Sequence, residues 1–127
     1  MYQNLESSVS DYVHRAVMAN TGGDIMSYPG WQAPVSSNVA QWMATYAREQ
    51  HRTAPPGLEI VNGKWIEMLG YLNLAGADLQ QVIAETNAGD TTDAIATFDT
   101  ANTEVTKYLE AVQAETGLLQ EFNAEHP

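Results

Sequence analysis

Two long amphipathic stretches, 56–87 and 90–116, meet at the short break Asn87-Ala88-Gly89-Asp90. Few folds accommodate that pattern. Each stretch repeats apolar residues at three- and four-residue spacing, the pattern of a helix with one buried face. Glycine followed by aspartate supplies a helix stop and then a helix cap. The pair predicts a helical hairpin, and a hairpin with apolar faces needs further helices to cover them. Strand-like alternation is absent. The expected fold is all-α, a single-domain four-helix bundle over 1–127. It should run up-down-up-down, with two shorter N-terminal and two longer C-terminal helices.

The first half supplies the other two helices. Leu5, Val9, Tyr12, Val13, Ala16 and Val17 predict a helix over 3–20, stopped at Gly22-Gly23. The connection 24–36 carries Pro29-Gly30 and Pro34 and reads as a loop. It is apolar for a loop, with Ile25, Met26, Tyr28 and Trp31. A second helix is expected from a cap at Ser36, Ser37 or Asn38, with Val39, Trp42, Met43, Tyr46 and Ala47 inward. It should end before Pro55-Pro56. The third helix opens at Pro56 and continues through Leu58, Val61, Trp65, Met68, Leu69, Leu72, Leu79, Val82 and Ile83. Gly70 and Gly76 lie inside it and mark either a close neighbour or a kink. Asp90 caps the fourth helix, which buries Ile95, Phe98, Ala101, Val105, Tyr108, Leu109 and Val112 and ends at Gly117. Leu118, Leu119 and Phe122 form a short apolar tail expected to pack back on the bundle.

Charge narrows the range of partners. The formal net charge is -11, with only five lysines and arginines. A phosphate backbone would be repelled, so direct nucleic-acid binding is not expected. An anionic membrane surface is disfavoured for the same reason. No apolar run approaches the roughly 18 residues of a transmembrane helix. The chain has no cysteine, which removes disulfides, thiolate metal sites and cysteine nucleophiles. Met1-Tyr2-Gln3-Asn4-Leu5 has neither a basic nor an apolar leader segment. That leaves a cytoplasmic protein, or a mature domain whose leader has been removed.

Chemical motifs are sparse. The histidines are His14, His51 and His126. A di-iron bundle needs two Glu-x-x-His pairs, and Asp11-x-x-His14 is the one segment with that spacing. No metal and no cofactor is therefore expected. Haem between His14 and Met43 or Met68 is the alternative, without covalent attachment, because Cys-x-x-Cys-His is absent. Neither Gly-x-Ser-x-Gly nor a phosphate-binding glycine loop occurs, so no catalytic residue is assigned and an enzyme is not expected. Asp90 and Asp93 lack calcium-loop spacing and read as helix capping.

The strongest functional signal is aromatic: Tyr28, Trp31, Trp42, Tyr46, Trp65 and Tyr71. Tyrosine and tryptophan are favoured where one end is buried and the other meets a partner. Trp42 and Trp65 fall on core stripes. Met26, Tyr28 and Trp31, in the Pro/Gly connection, are the candidate partner-binding residues. The competing reading is that Trp31 and Met26 plug the end of the bundle. Trp31→Ala separates the two: a contact residue leaves thermal stability nearly unchanged, and a plug does not.

The second half also resembles small lipoprotein and secreted helical ectodomains of bacteria, best known from actinobacteria. The matching pieces are Ala54-Pro55-Pro56-Gly57-Leu58, the helix from Trp65 to Thr86, and Ala88-Gly89-Asp90 leading to Phe98 and Val105. The resemblance covers 54–112, is compositional, and carries no catalytic residues. It implies a domain outside the cytoplasm, once tethered by a lipidated N-terminus. The expected function is a non-enzymatic extracytoplasmic binding or interaction module. Its partner would be a protein or a small apolar ligand. The alternatives are a carrier of haem or a small apolar molecule, and an acidic mimic that occupies a basic protein, for which Glu104, Glu110 and Glu115 are a start. Monomer and dimer are both open, since the 70–76 glycines would let two chains pack closely.

Overall fold

A computed structural model describes residues 2–21 and 25–125, with side chains over 5–19 and 25–114. Four helices form it: α1 (Tyr2–Thr21), α2 (Pro29–Glu49), α3 (Glu59–Asn87) and α4 (Thr91–Glu125). A 3-10 turn, Ile25–Ser27, precedes α2, and no strand occurs among the described residues. The fold is all-α, with two helices of 20 and 21 residues followed by two of 29 and 35.

The α3/α4 junction forms as the sequence predicts. Asp90 N–H donates to the Glu85 carbonyl at 2.9 Å and Gly89 N–H to the Thr86 carbonyl at 3.1 Å. These are the paired bonds that close a helix over a left-handed residue, and Gly89 takes a φ of 80°. Asp90 then turns its carboxylate to the Asp93 N–H at 3.5 Å, beginning α4.

Three boundaries differ from expectation. The connection before α2 is shorter, because α2 starts at Pro29 and not at 36–38. Pro29 sits in the first turn, where a missing N–H costs nothing. Pro34 lies inside the helix and deprives the Gly30 carbonyl of its usual donor. Arg15 Nη1 donates to that carbonyl at 3.4 Å, which offsets part of the loss. Next, α3 starts at Glu59 and not at Pro56. Pro55–Leu58 is a turn closed by Leu58 N–H to the Pro55 carbonyl at 3.0 Å, with Gly57 at a φ of 86°. Finally, Gly117 does not stop α4, which continues to Glu125. The side chains of Glu115, Leu118, Leu119 and Phe122, and all of Gly22, Gly23 and His126, lie outside the described residues.

Successive helices are tied in register. Between α1 and α2 the ties are polar. Trp42 Nε1 donates to Ser8 Oγ (3.0 Å), Asn38 Nδ2 to Asp11 Oδ2 (2.8 Å), and Trp31 Nε1 to the Arg15 carbonyl (3.0 Å). Between α2 and α3 the tie is close approach. A Cβ on Gly76 would lie 3.1 Å from Val39 Cγ1, and one on Gly70 would touch the Tyr46 ring at 3.7 Å. The glycines mark a close neighbour, and α3 continues unbroken through both. Between α3 and α4, Thr97 Oγ1 donates to Glu85 Oε1 at 2.7 Å. The core between them is filled by Trp42, Met68, Leu69, Leu72, Leu79, Val82, Ala101 and Tyr108.

Candidate functional site

The end of the bundle around the start of α2 holds the three residues singled out by sequence. Tyr28 is the N-cap of α2, and its carbonyl accepts from Trp31 N–H at 2.9 Å. That cap aims the next turn inward. Trp31 is 2% exposed. Its ring meets Phe98 edge-on at 6.1 Å. Met26 is also buried, and its carbonyl accepts from Gln32 Nε2 at 2.7 Å. The same Gln32 amide group reaches Asn87 Oδ1 at 2.9 Å, pinning this end to the α3/α4 turn. Trp31 and Met26 thus form the floor of this end, and Tyr28, 58% exposed, is the one of the three at the surface. A shallow concavity of about 180 Å³ lies here, lined by Arg15, Met18, Ile25, Tyr28, Gly30 and Trp31. Met18, also exposed, was not singled out by sequence.

A second concavity lies along the seam between α1 and α4. It measures about 340 Å³ and is lined by Glu6, Val9, Ser10, Val13, Tyr108, Leu109 and Val112. The buried Val9 and Tyr108 form its base, and the exposed Val13 and Leu109 flank it. Tyr12 crosses the seam and donates its hydroxyl to Asn102 Oδ1. Burial pushes that hydroxyl's ionisation well above the ordinary tyrosine range, so it stays a donor.

Three charged groups are distinctive. The Arg15 guanidinium and then the Asn38 amide hold the Asp11 carboxyl below its ordinary value. Glu49 is buried, 3% exposed, in the last turn of α2, with Arg52 Nη1 at 3.3 Å. Glu104 faces Asp78 across the α3/α4 interface, and one of its carboxylate oxygens is buried without a hydrogen-bond partner. Burial first, and then the Asp78 carboxyl, raise it to about 8, against the opposing pull of Lys107. At neutral pH Glu104 therefore largely keeps its proton and shares it with Asp78. Asp11–Arg15 and Glu49–Arg52 are local pairs, four and three residues apart, whereas Asp11–Asn38 and Glu104–Asp78 form between helices, where no sequence pattern marks them.

The remaining candidates for chemistry lie in different surroundings. His14 and His51 are exposed, while Met68 is wholly buried and Met43 packs against Gly76. The buried Ser8 donates to the Leu5 carbonyl and accepts from Trp42, with no histidine in that chain of bonds. Glu85, Asp90 and Asp93 bring carboxylate oxygens within 4.8 Å of one another at the α3/α4 turn. Two of them already serve structure, Glu85 for Thr97 and Asp90 for the α4 cap. Asp90 also raises the Asp93 carboxyl above its ordinary value, through a hydrogen bond and then its charge. Compared with known proteins, the chain matches no family model, no curated protein and no solved structure.

Proposed function

We propose that this chain is a non-enzymatic protein-interaction module and that it meets its partner at the bundle end through Tyr28, with Met18 and Ile25 beside it. The supporting observation is an exposed aromatic beside a buried one. The Tyr28 backbone holds the N-cap position of α2, and its side chain shares a concavity with the buried Trp31. Such preorganised aromatic anchors recur as hot spots, because little conformational entropy is lost when they bind. The inter-helix ties 8–42, 11–38, 39–76 and 85–97 support an up-down-up-down order for the scaffold. The resemblance of 54–112 to secreted ectodomains supports an extracytoplasmic setting. Fractionation of cells expressing the complete gene product tests that setting, and recovery in the cytosol alone would end it.

The binding claim is tested by affinity capture with wild-type protein and with Tyr28→Ala. The expected result is a partner retained by wild type and lost with Tyr28→Ala at unchanged melting temperature. Equal retention by both would move the contact elsewhere.

A second reading, a basic partner protein, is favoured by the charge distribution. Residues 59–127 carry twelve of the sixteen acids and two of the five strong cations. The charge is therefore concentrated on the α3/α4 half, and a basic surface would be drawn there. Capture through that half should weaken steeply with salt and should not depend on Tyr28.

A further inference from the structure

We infer that the outer groove between α3 and α4 is a binding site for a free α-amino acid with an apolar side chain. The groove holds a concavity of about 430 Å³, a size that suits a small molecule. Both lysines of the chain line it, Lys64 from α3 and Lys107 from α4. Each is followed three residues later by a glutamate that also lines it, Glu67 and Glu110. The same Lys-x-x-Glu spacing behaves differently on the two helices. On α3 the pair closes. Lys64 Nζ lies 3.4 Å from Glu67 Oε2, and the Tyr71 hydroxyl donates to Glu67 Oε1 at 3.5 Å. On α4 the pair stays open. Lys107 Nζ lies 6.0 Å from the centroid of the Tyr71 ring. Among the described residues, neither Lys107 nor Glu110 takes part in an ion pair. Long helical side chains lean toward the helix N-terminus, which carries Lys107 away from Glu110 and over the ring.

The open pair selects the ligand. An ammonium and a carboxylate one turn apart on one helix match a molecule that carries a carboxylate and an ammonium on one carbon. The ligand carboxylate meets Lys107, and the ligand ammonium meets Glu110. Singly charged molecules fit less well. The two lysines and two glutamates of the lining cancel, so neither sign gains overall. An anion also meets the field of a chain with net charge -11. A cation meets both lysines. Small residues make room for the rest of the molecule. Ala111 and Ala114 of α4 line the groove with the half-buried Tyr71. Together they form an apolar wall against which an aliphatic or aromatic side chain sheds water. The Tyr28 end plays no part. Gln32 and Asn87 tie that end to the α3/α4 turn, and Lys107 lies about 24 Å along α4 from its start at Thr91.

Heteronuclear NMR of the isotope-labelled full chain, titrated with leucine, methionine and phenylalanine, tests this. The leucine titration is repeated with isocaproate, which lacks the ammonium, and with isopentylamine, which lacks the carboxylate. Glycine, with both charges and no side chain, is the third comparison. The amino acids should move the backbone amide signals of Tyr71, Lys107 and Glu110 saturably in the millimolar range. Isocaproate and isopentylamine should each bind about tenfold more weakly than leucine, the loss of one charge-assisted contact. Glycine should bind more weakly than leucine as well. Lys107→Gln and Glu110→Gln should each weaken leucine binding by about the same factor. Both positions are exposed, so the variants keep the fold. Asp99→Asn, exposed on α4 and outside the groove lining, should leave binding unchanged. No saturable shift with any of the three amino acids would overturn the inference. So would singly charged analogues that bind as tightly as leucine, or binding indifferent to both groove variants.

Discussion

Trp31 and Tyr28 stand three residues apart and behave oppositely. Trp31 is held by the Arg15 carbonyl and by Phe98, and truncating a buried tryptophan leaves a cavity. Trp31→Ala should cost about 3–5 kcal/mol and lower the melting temperature sharply. Tyr28→Ala should stay within about 0.5 kcal/mol of wild type, as exposed positions do. Calorimetry of the two variants checks both. Glu104 gives a residue-scale prediction in pH. In the folded chain it keeps its proton up to about 8, whereas its ordinary value is 4.5. The folded state therefore binds the extra proton between those values. Its contribution is fully present below the lower value and is lost as pH rises through the upper one. Urea midpoints should fall between mildly acidic and mildly alkaline pH. Glu104→Gln, neutral at every pH and still able to donate to Asp78, should flatten that fall.

At the scale of elements, the glycines of α3 differ in what surrounds them. Gly70 has room for a methyl group against the Tyr46 ring at 3.7 Å. Gly70→Ala should therefore gain most of the roughly 1 kcal/mol that alanine offers in a helix interior. At Gly76 the added carbon would press Val39 Cγ1 at 3.1 Å and Met43 Cγ at 3.3 Å. Val39 is branched and cannot swing away, so Gly76→Ala should gain nothing or lose stability. Thermal melts of the two variants decide it. Element boundaries also show what was legible in the chain. The α3/α4 junction was, because glycine and aspartate act locally, within one turn. The start of α2 was not. Pro34 reads as a breaker, but the carbonyl it leaves without a donor, that of Gly30, is served by Arg15, fifteen residues away from it in sequence. Asn38 read as a cap because nothing local shows that Asp11 of another helix awaits its amide. Gly117 read as a stop, although nothing at that position ends α4.

At the scale of the whole molecule, apolar surface and charge are segregated. The acids crowd onto α3 and α4, apolar groups gather along the α1/α4 seam, and a capped aromatic stands at one end. The aromatic end was legible as a cluster of residues. Which members face out was not, because burial of Trp31 depends on Phe98 arriving from α4. The two proposed contacts respond differently to salt. Capture of a basic protein should weaken, and contact through Tyr28 should change little. The central claim is that the chain works by binding a protein through Tyr28. A photo-crosslinking residue placed at Tyr28, with one at Leu74 as control, tests it in the native host. The account predicts one discrete heterologous adduct from position 28 and none from position 74. No adduct from position 28, or the same adducts from both, would contradict it.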